Sequence, residues 1–315
     1  MAQNFQACMV ILFALCSLSE MSIQARKQES PRKENKAETG RVSQAALKSF
    51  VKRMIQHIDQ DKNGMISREE MKHWVTYISK ISKQRVTNVN WAGLNPQNLA
   101  TISWKDYLER SFGTASESAN GDSELQRTIR NDKRRWKTAD RNKDEKLSLQ
   151  EFSDFLHPEG SPYMRDAVIR ETLESADKDK SGTISEDEYI NDIAHAYGTK
   201  AEKSRKEPKW IERERKQFRT FLDKDKDGKL NFEEVGEWVM PADYDAVKAE
   251  IGHLFYYIDT NRNGALTDDE IFGSQDVFVS SMATDYGSAI EYMDEIWTTS
   301  DKNKKKKKNG PSKKP

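Results

Sequence analysis

A twelve-residue frame recurs six times along this chain, and four copies satisfy the same six positional demands. Asp59-Gln60-Asp61-Lys62-Asn63-Gly64 runs on to Ile66 and Glu70. The frame starts again at Asp177, Asp223 and Asp259, at Asp140 with one fault, and near Asn95 with most of its oxygen-bearing side chains gone. The starts at 59, 95, 140, 177, 223 and 259 lie 36, 45, 37, 46 and 36 residues apart. Short and long gaps alternate, a rhythm that predicts three consecutive pairs.

The frame is that of the EF-hand loop, and its positions follow from what a calcium ion needs. Calcium is a hard cation that takes 6–8 oxygen ligands, drawn from loop positions 1, 3, 5, 7, 9 and 12. Position 7 offers a backbone carbonyl, so its side chain is free to vary. Position 12 is a Glu that binds through both oxygens. Position 6 turns sharply and calls for Gly. Position 8 is apolar and meets the partner loop as a short strand. The first loop supplies Asp59, Asp61, Asn63, Met65 (carbonyl) and Glu70. The fourth supplies Asp177, Asp179, Ser181, Thr183 and Glu188, and the fifth Asp223, Asp225, Asp227, Lys229 and Glu234. The sixth supplies Asp259, Asn261, Asn263, Ala265 and Glu270. One such match is already specific, because several positions are constrained at once.

The third loop offers Asp140, Asn142, Asp144, Lys146 (carbonyl) and Glu151, but Glu145 stands where Gly belongs. A non-Gly residue at positive φ costs roughly 1–2 kcal/mol, which weakens the site and keeps its ligands. The second copy is found by rhythm: Ile102 falls at position 8 and Asp106 at position 12, while Pro96, Leu99 and Ala100 occupy positions 2, 5 and 6. It reads as a loop kept to pair with the first hand, with little calcium affinity. Five calcium ions are expected at most, four of them bound readily, with the fifth loop tightest by carboxylate count.

Charge and apolar content bound the rest. Charged residues make up 33% and hydrophobic ones 35% of the 315, so each core is small. Net charge is zero, but the last 15 residues hold eight Lys and one Asp, leaving the other 300 at −7. Cys8 to Leu18 is an apolar run of 11 residues, too short to span a bilayer, which takes about 20. It reads as a secretory signal, with cleavage expected after Ser19 or Ala25. Both cysteines, Cys8 and Cys16, lie inside it, so the mature chain would hold no disulfide. No Asn-x-Ser/Thr sequon occurs. No other segment is apolar enough to cross a membrane.

The predicted fold class is all-α: three EF-hand pairs joined by polar linkers. Residues 26–42 are polar and expected to be disordered. The first pair is expected over 43–112, the second over 124–197 and the third over 209–297, with Gly113–Ser123 and Gly198–Pro208 as linkers and 298–315 as a disordered Lys-rich tail. Leu47, Phe50, Val51, Met54, Ile55 and Ile58 form an apolar stripe at helical spacing, as do Met71, Trp74, Val75 and Ile78. Aromatic residues beside the loops, among them Trp104, Trp136, Phe155, Phe221, Trp238 and Phe272, read as pair cores. His57, His73, His157, His195 and His253 are scattered singly and fit no zinc spacing. No P-loop, dinucleotide fingerprint or supported catalytic triad occurs, so no catalytic residue is predicted. Lys304 to Lys308 reads first as a solvated tail. It also has the composition to bind an anionic polymer by counterion release; nucleic acid is not expected behind a signal segment.

With a signal segment, six EF-hands and no membrane span, the chain resembles the CREC family, the calumenin/reticulocalbin proteins of the secretory pathway. The resemblance is strongest at Glu151-Phe152-Ser153-Asp154-Phe155-Leu156-His157-Pro158-Glu159, Glu207-Pro208-Lys209-Trp210 and Met282-Ala283-Thr284-Asp285-Tyr286-Gly287, and it covers roughly 43–290. It implies low-affinity calcium binding at the five loops, with roles in calcium handling and in protein folding or secretion. Family members usually end in an HDEL-like retrieval signal, and this chain ends Ser312-Lys313-Lys314-Pro315. Secretion is therefore expected, with the endoplasmic reticulum or Golgi lumen as the alternative. The leading function is a low-affinity calcium buffer that engages client proteins. The alternative is a calcium-binding component of an extracellular or calcified matrix.

Overall fold

The computed structural model describes residues 44–113, 124–196, 208–242, 244–292 and 296–297. The expected signal segment, the polar stretch 26–42, residues 114–123 and 198–207 of the linkers, and the Lys-rich tail all lie outside the described residues. The described residues divide into two compact units: one is formed by residues 87–244, the other by residues 44–86 together with 245–297.

Each hand is a helix, a loop with a short strand, and a second helix. Hand 1 has α1 (Gln44–Ile58), β1 (Met65–Ser67) and the start of α2 (Arg68–Leu94); hand 2 follows with β2 (Thr101–Ser103) and α3 (Trp104–Phe112). Hand 3 has α4 (Glu124–Ala139), β3 (Lys146–Ser148) and α5 (Leu149–Leu156); hand 4 has α6 (Arg165–Ala176), β4 (Ile184–Ser185) and α7 (Glu186–Ala196). Hand 5 has α8 (Lys209–Gln217), a π turn at Phe218–Leu222, β5 (Lys229–Leu230) and α9 (Phe232–Val239). Hand 6 has α10 (Ala246–Ile258), β6 (Ala265–Thr267) and α11 (Asp268–Gly273), after which comes α12 (Gln275–Val279). The predicted all-α class holds, with two- and three-residue strands as its only extended structure among the described residues. None of the described helices is long and apolar enough to cross a membrane.

The strands pair in an order that the spacing does not predict. β1 pairs with β6, β2 with β3, and β4 with β5, all antiparallel. The position-8 residues face each other in every case: Ile66 with Leu266, Ile102 with Leu147, Ile184 with Leu230. All six are buried. Hand 1 thus joins hand 6, not hand 2, and the second loop serves hand 3. The expected boundaries 43–112, 124–197 and 209–297 each enclose two hands from different pairs, and the supposed inter-pair linkers fall inside pairs 2–3 and 4–5.

The physical reason lies in α2. It runs unbroken for 27 residues, so the exit helix of hand 1 is also the entering helix of hand 2. Each loop takes its strand partner from within its own compact unit. Elsewhere the chain does turn. Pro158 and Pro162 open short 3₁₀ turns between α5 and α6, where proline supplies the fixed φ and lacks the N–H that a continuing helix would need. Hands 3 and 4 then meet helix on helix: the Arg135 guanidinium of α4 donates to both Glu171 oxygens on α6, at 2.6 and 2.5 Å, and Arg134 pairs with Glu174. Burial alone would make it easier for Arg135 to lose its proton, but the Glu171 carboxylate beside it outweighs that and keeps it firmly cationic.

Three apolar clusters follow the three pairs. In the unit holding hands 1 and 6, Val51, Met54 and Ile58 of α1 pack with Leu254 and Ile258 of α10. Pair 2–3 is built on Tyr107, Trp136, Phe152 and Phe155, and pair 4–5 on Ile169, Tyr189, Phe218 and Trp238. Each fully buried large apolar side chain contributes about 1.5–3 kcal/mol. Phe221 departs from expectation: it is 58% exposed and belongs to none of these cores, because the π turn at Phe218–Leu222 breaks the helical spacing that would carry it inward.

The order of pairing is directly testable. Met65 and Thr267 are facing residues of β1 and β6, and facing residues of an antiparallel pair bring Cβ atoms to about 4.5–5.5 Å. In a chain lacking Cys8 and Cys16, Met65→Cys with Thr267→Cys should form an intramolecular disulfide on mild oxidation. Met65→Cys with Thr101→Cys should not. Mass mapping of the oxidised peptides decides between the two orders.

Candidate metal centres

The loops are held open by their own backbone before any ion is considered. In loop 1 the Asp59 carboxylate accepts the Gly64 N–H at 3.0 Å, Asp61 accepts the Asn63 N–H at 3.0 Å, and Asn63 accepts the Met65 N–H at 2.8 Å. Loop 5 repeats the pattern, with Gly228 donating to Asp223 at 3.0 Å and Lys229 to Asp227 at 2.8 Å. In loop 4 Gly182 donates to Asp177 at 2.7 Å and Ser181 to Asp179 at 2.9 Å. In loop 6 Gly264 donates to Asp259 at 3.0 Å, Asn263 to Asn261 at 2.9 Å and Ala265 to Asn263 at 2.8 Å.

The position-12 glutamate closes each loop from the far end. Glu70 accepts Gln60 N–H at 2.8 Å through one oxygen and the Ser67 N–H and hydroxyl at 2.9 and 2.8 Å through the other. Glu188 and Glu234 do the same with Lys178 and Ser185 and with Lys224 and Asn231. The position-9 side chain returns the favour by accepting the glutamate's own N–H, a reciprocal capping box that is complete at Ser148, Asn231 and Thr267. A cap of this kind stabilises its helix by about 1 kcal/mol. Position 9 is one of the loop positions the sequence singles out, and the Ser/Thr-x-x-Glu signature before a helix marks Ser148 and Thr267 there.

Those hydrogen bonds hold the carboxylates charged. Burial pushes the Glu70 carboxyl up, but donors from Ser67, Gln60 and Asp61 outweigh it and set it below the usual range. The same opposition lowers Glu151 and Glu188. Glu270 goes furthest: against burial, Thr267, Thr260 and Asn261 bring it down to about 2. A lowered carboxyl stays anionic and so remains ready for a cation.

Three loops gather their carboxylates closely. Oxygens of Asp59, Asp61 and Glu70 lie within 4.8 Å of one another, as do those of Asp177, Asp179 and Glu188 and those of Asp223, Asp225 and Asp227. Asp59 Oδ1 is buried and accepts no hydrogen bond among the described residues, an oxygen left over for a ligand outside the protein. The donor set is all oxygen, which suits calcium. Loop 6 brings only Asp259 and Glu270 as carboxylates, completed by Asn261 and Asn263.

Loop 3 carries its predicted fault as geometry. Glu145 takes φ 63°, where the corresponding Gly64, Gly182, Gly228 and Gly264 take 80–85°. Its N–H still reaches Asp140 at 2.9 Å, so the turn forms with the side chain in a left-handed conformation. Its Asp140, Asn142 and Asp144 are in place; Asp144 accepts the Lys146 N–H at 2.9 Å and Glu151 accepts the Ser148 N–H at 3.0 Å. Position 4 is left-handed in all five loops, at Lys62, Lys143, Lys180, Lys226 and Arg262. Loop 2 closes on itself instead: the Asn95 side chain accepts the Leu99 N–H at 2.9 Å and donates to the Leu99 carbonyl at 2.7 Å. Ser103 caps α3 by accepting the Asp106 N–H, and the Asp106 carboxylate accepts from the Ser103 backbone in return.

Comparison with known families agrees with these loops. A model described as an EF-hand domain pair matches residues 130–194, a second so described matches 247–274, and a model of the EF hand matches 51–75 and 220–240. The chain is a multi-EF-hand protein, and the ion that such domains bind is calcium. The match over 130–194 spans hands 3 and 4, which are consecutive in sequence and joined through α4 and α6, while their strands pair with hands 2 and 5.

Two outcomes are expected. Glu145→Gly should relieve roughly 1–2 kcal/mol of backbone strain and tighten calcium at loop 3 by up to about tenfold, read by calorimetry on the full chain. The second concerns acid. Glu270 is lower in the fold, at about 2, than its ordinary 4.5, so its contribution is full above pH 4.5 and is lost as pH falls toward 2. Thr267→Ala should raise the Glu270 midpoint in calcium-free protein and flatten that acid loss, measured by carboxyl NMR titration.

Proposed function

We propose that this chain is a low-affinity calcium buffer of the secretory pathway that also engages client proteins. One observation carries the calcium part: five loops present a charged position-12 carboxylate held by backbone donors, with oxygen side chains at positions 1, 3 and 5. Asp59, Asp61, Asn63 and Glu70 of loop 1 would hold the ion with the Met65 carbonyl. Loops 3 to 6 would do so through the corresponding residues, with the carbonyls of Lys146, Thr183, Lys229 and Ala265.

Two of the loops and the expected compartment support low affinity. Loop 3 is strained at Glu145, and loop 6 carries two carboxylates where loop 5 carries four. Modules working where calcium is plentiful bind at about 10⁻⁴–10⁻³ M. The apolar run Cys8–Leu18 and the lack of cysteine after Cys16 fit passage through an oxidising lumen. The likeness to the calumenin/reticulocalbin proteins supports client engagement.

Glu70→Gln, Glu188→Gln, Glu234→Gln and Glu270→Gln should each remove about one ion, since each loses its bidentate ligand. Native mass spectrometry of the wild type should show five ions at most. Six ions, or fewer than three at saturating calcium, would contradict the ligand assignment. Calorimetry finding uniformly sub-micromolar sites would sink the buffering role. A tagged chain found in the cytosol, not in the lumen or the medium, would overturn the compartment.

A further inference from the structure

The unit holding hands 1 and 6 has an apolar groove between its helices, and the chain fills that groove with its own residues after hand 6. Phe278, Ala283, Ala289, Tyr292, Ile296 and Trp297 are all buried in the same core as α1, α10 and the first part of α2. Simple collapse would leave the polar groups of such a segment facing solvent. Here they are bonded one by one to the two hands. Trp74 Nε1 donates to the Ala283 carbonyl at 2.8 Å, and Tyr77 donates to the Ile296 carbonyl at 3.0 Å. The Met282 N–H donates to Glu250 of α10 at 2.8 Å, and Ser82 donates to Asp285 at 2.8 Å. The Trp297 ring lies 3.9 Å from the His57 ring and 6.0 Å from that of Trp74, centroid to centroid. Arg85 covers the Tyr292 ring at 4.7 Å.

The segment is also shaped for the position. Asp285, Tyr286 and Gly287 take positive φ in succession, at 50°, 53° and 89°. Two non-glycine residues in that region cost free energy, and the sharp reversal they make brings Tyr292 back to hydrogen-bond Asp285 at 2.5 Å. An amphipathic segment with aromatic anchors in a groove between paired hands is how EF-hand grooves hold a target helix.

We propose that the groove between hands 1 and 6 is a peptide-binding groove occupied in cis by residues 275–292 and 296–297, and that calcium at loops 1 and 6 governs this occupancy. The groove walls are tied to the loops by short covalent reach. His57 and Ile58, which contact the segment and its core, directly precede Asp59; Trp74 and Tyr77 lie four and seven residues after Glu70 on the same helix. A change in either loop reorients the helices that hold the segment. Loss of calcium from these two loops closes the helices on the groove and releases the segment. The inference rests on calcium binding at loops 1 and 6, and ion counts on the same variants test that separately.

Hydrogen exchange on the full chain in saturating calcium reads the proposal. The pair Glu70→Gln with Glu270→Gln should speed exchange of peptides within 275–297 by at least roughly tenfold. The pair Glu188→Gln with Glu234→Gln, which empties loops 4 and 5, should leave that segment protected. Equal loss in both pairs, or loss in neither, overturns the calcium dependence. Two milder variants guard against mere unfolding. Trp297→Ala and Tyr77→Phe should free the segment while α1 and α10 remain protected, and each should then bind a synthetic peptide of residues 275–297 that the wild type in calcium does not. A protected segment in both variants, or no binding of the added peptide, overturns occupancy in cis.

Discussion

Everything in this molecule hangs on a carboxylate that begins a helix. The position-12 glutamate accepts N–H donors from the start of its loop with one oxygen and from position 9 with the other, and its own N–H is capped in return. One residue therefore fixes the loop's closure, the first turn of the exit helix and the charge presented to an ion. It repeats at Glu151, Glu188, Glu234 and Glu270 with the same partners by position. Because the loop and the helix share this residue, the ion site and the start of the exit helix are one unit of backbone.

Chain distance is a weak constraint beside the buried contact at position 8. Closing a pair between hands 1 and 6 in place of hands 1 and 2 lengthens the loop from 36 to 200 residues between the paired starts. That costs only about 1.5 kcal/mol of additional closure entropy, about what one well-buried apolar side chain returns. Between loops 1 and 2 the chain runs as one unbroken helix, α2. The pairing observed is thus decided by where the helices turn, which spacing does not record.

The hands and their sites were legible in the sequence because coordination chemistry demands particular residue types at fixed offsets, and the Asp59, Asp177 and Asp223 loops gather the carboxylates that those offsets imply. The fault at Glu145 and the collapse of ligands after Asn95 were legible for the same reason. The order of pairing was not, since Ile66, Ile102, Leu147, Ile184, Leu230 and Leu266 are interchangeable as strand residues. Nor was the role of Met282–Gly287, whose polar residues meet Trp74, Ser82 and Glu250 only after a reversal built from successive positive φ values. Periodicity reads a helix face; it does not read a turn that holds three left-handed residues in place.

Stability and ion binding are bound together in a chain built this way. Three carboxylates within 4.8 Å repel one another, while backbone and Ser donors hold Glu70 and Glu188 below the usual carboxylate range. No cysteine follows Cys16 to hold the fold covalently. The cation is then the one partner that turns each gathering from a cost into a gain, and binding that occurs only in the folded loop adds directly to folding free energy. Helix packing alone has to offset that repulsion when calcium is low. In the unit of hands 1 and 6 part of that packing comes from the residues after hand 6, so the same apolar surface that steadies the pair is the surface that a partner would seek.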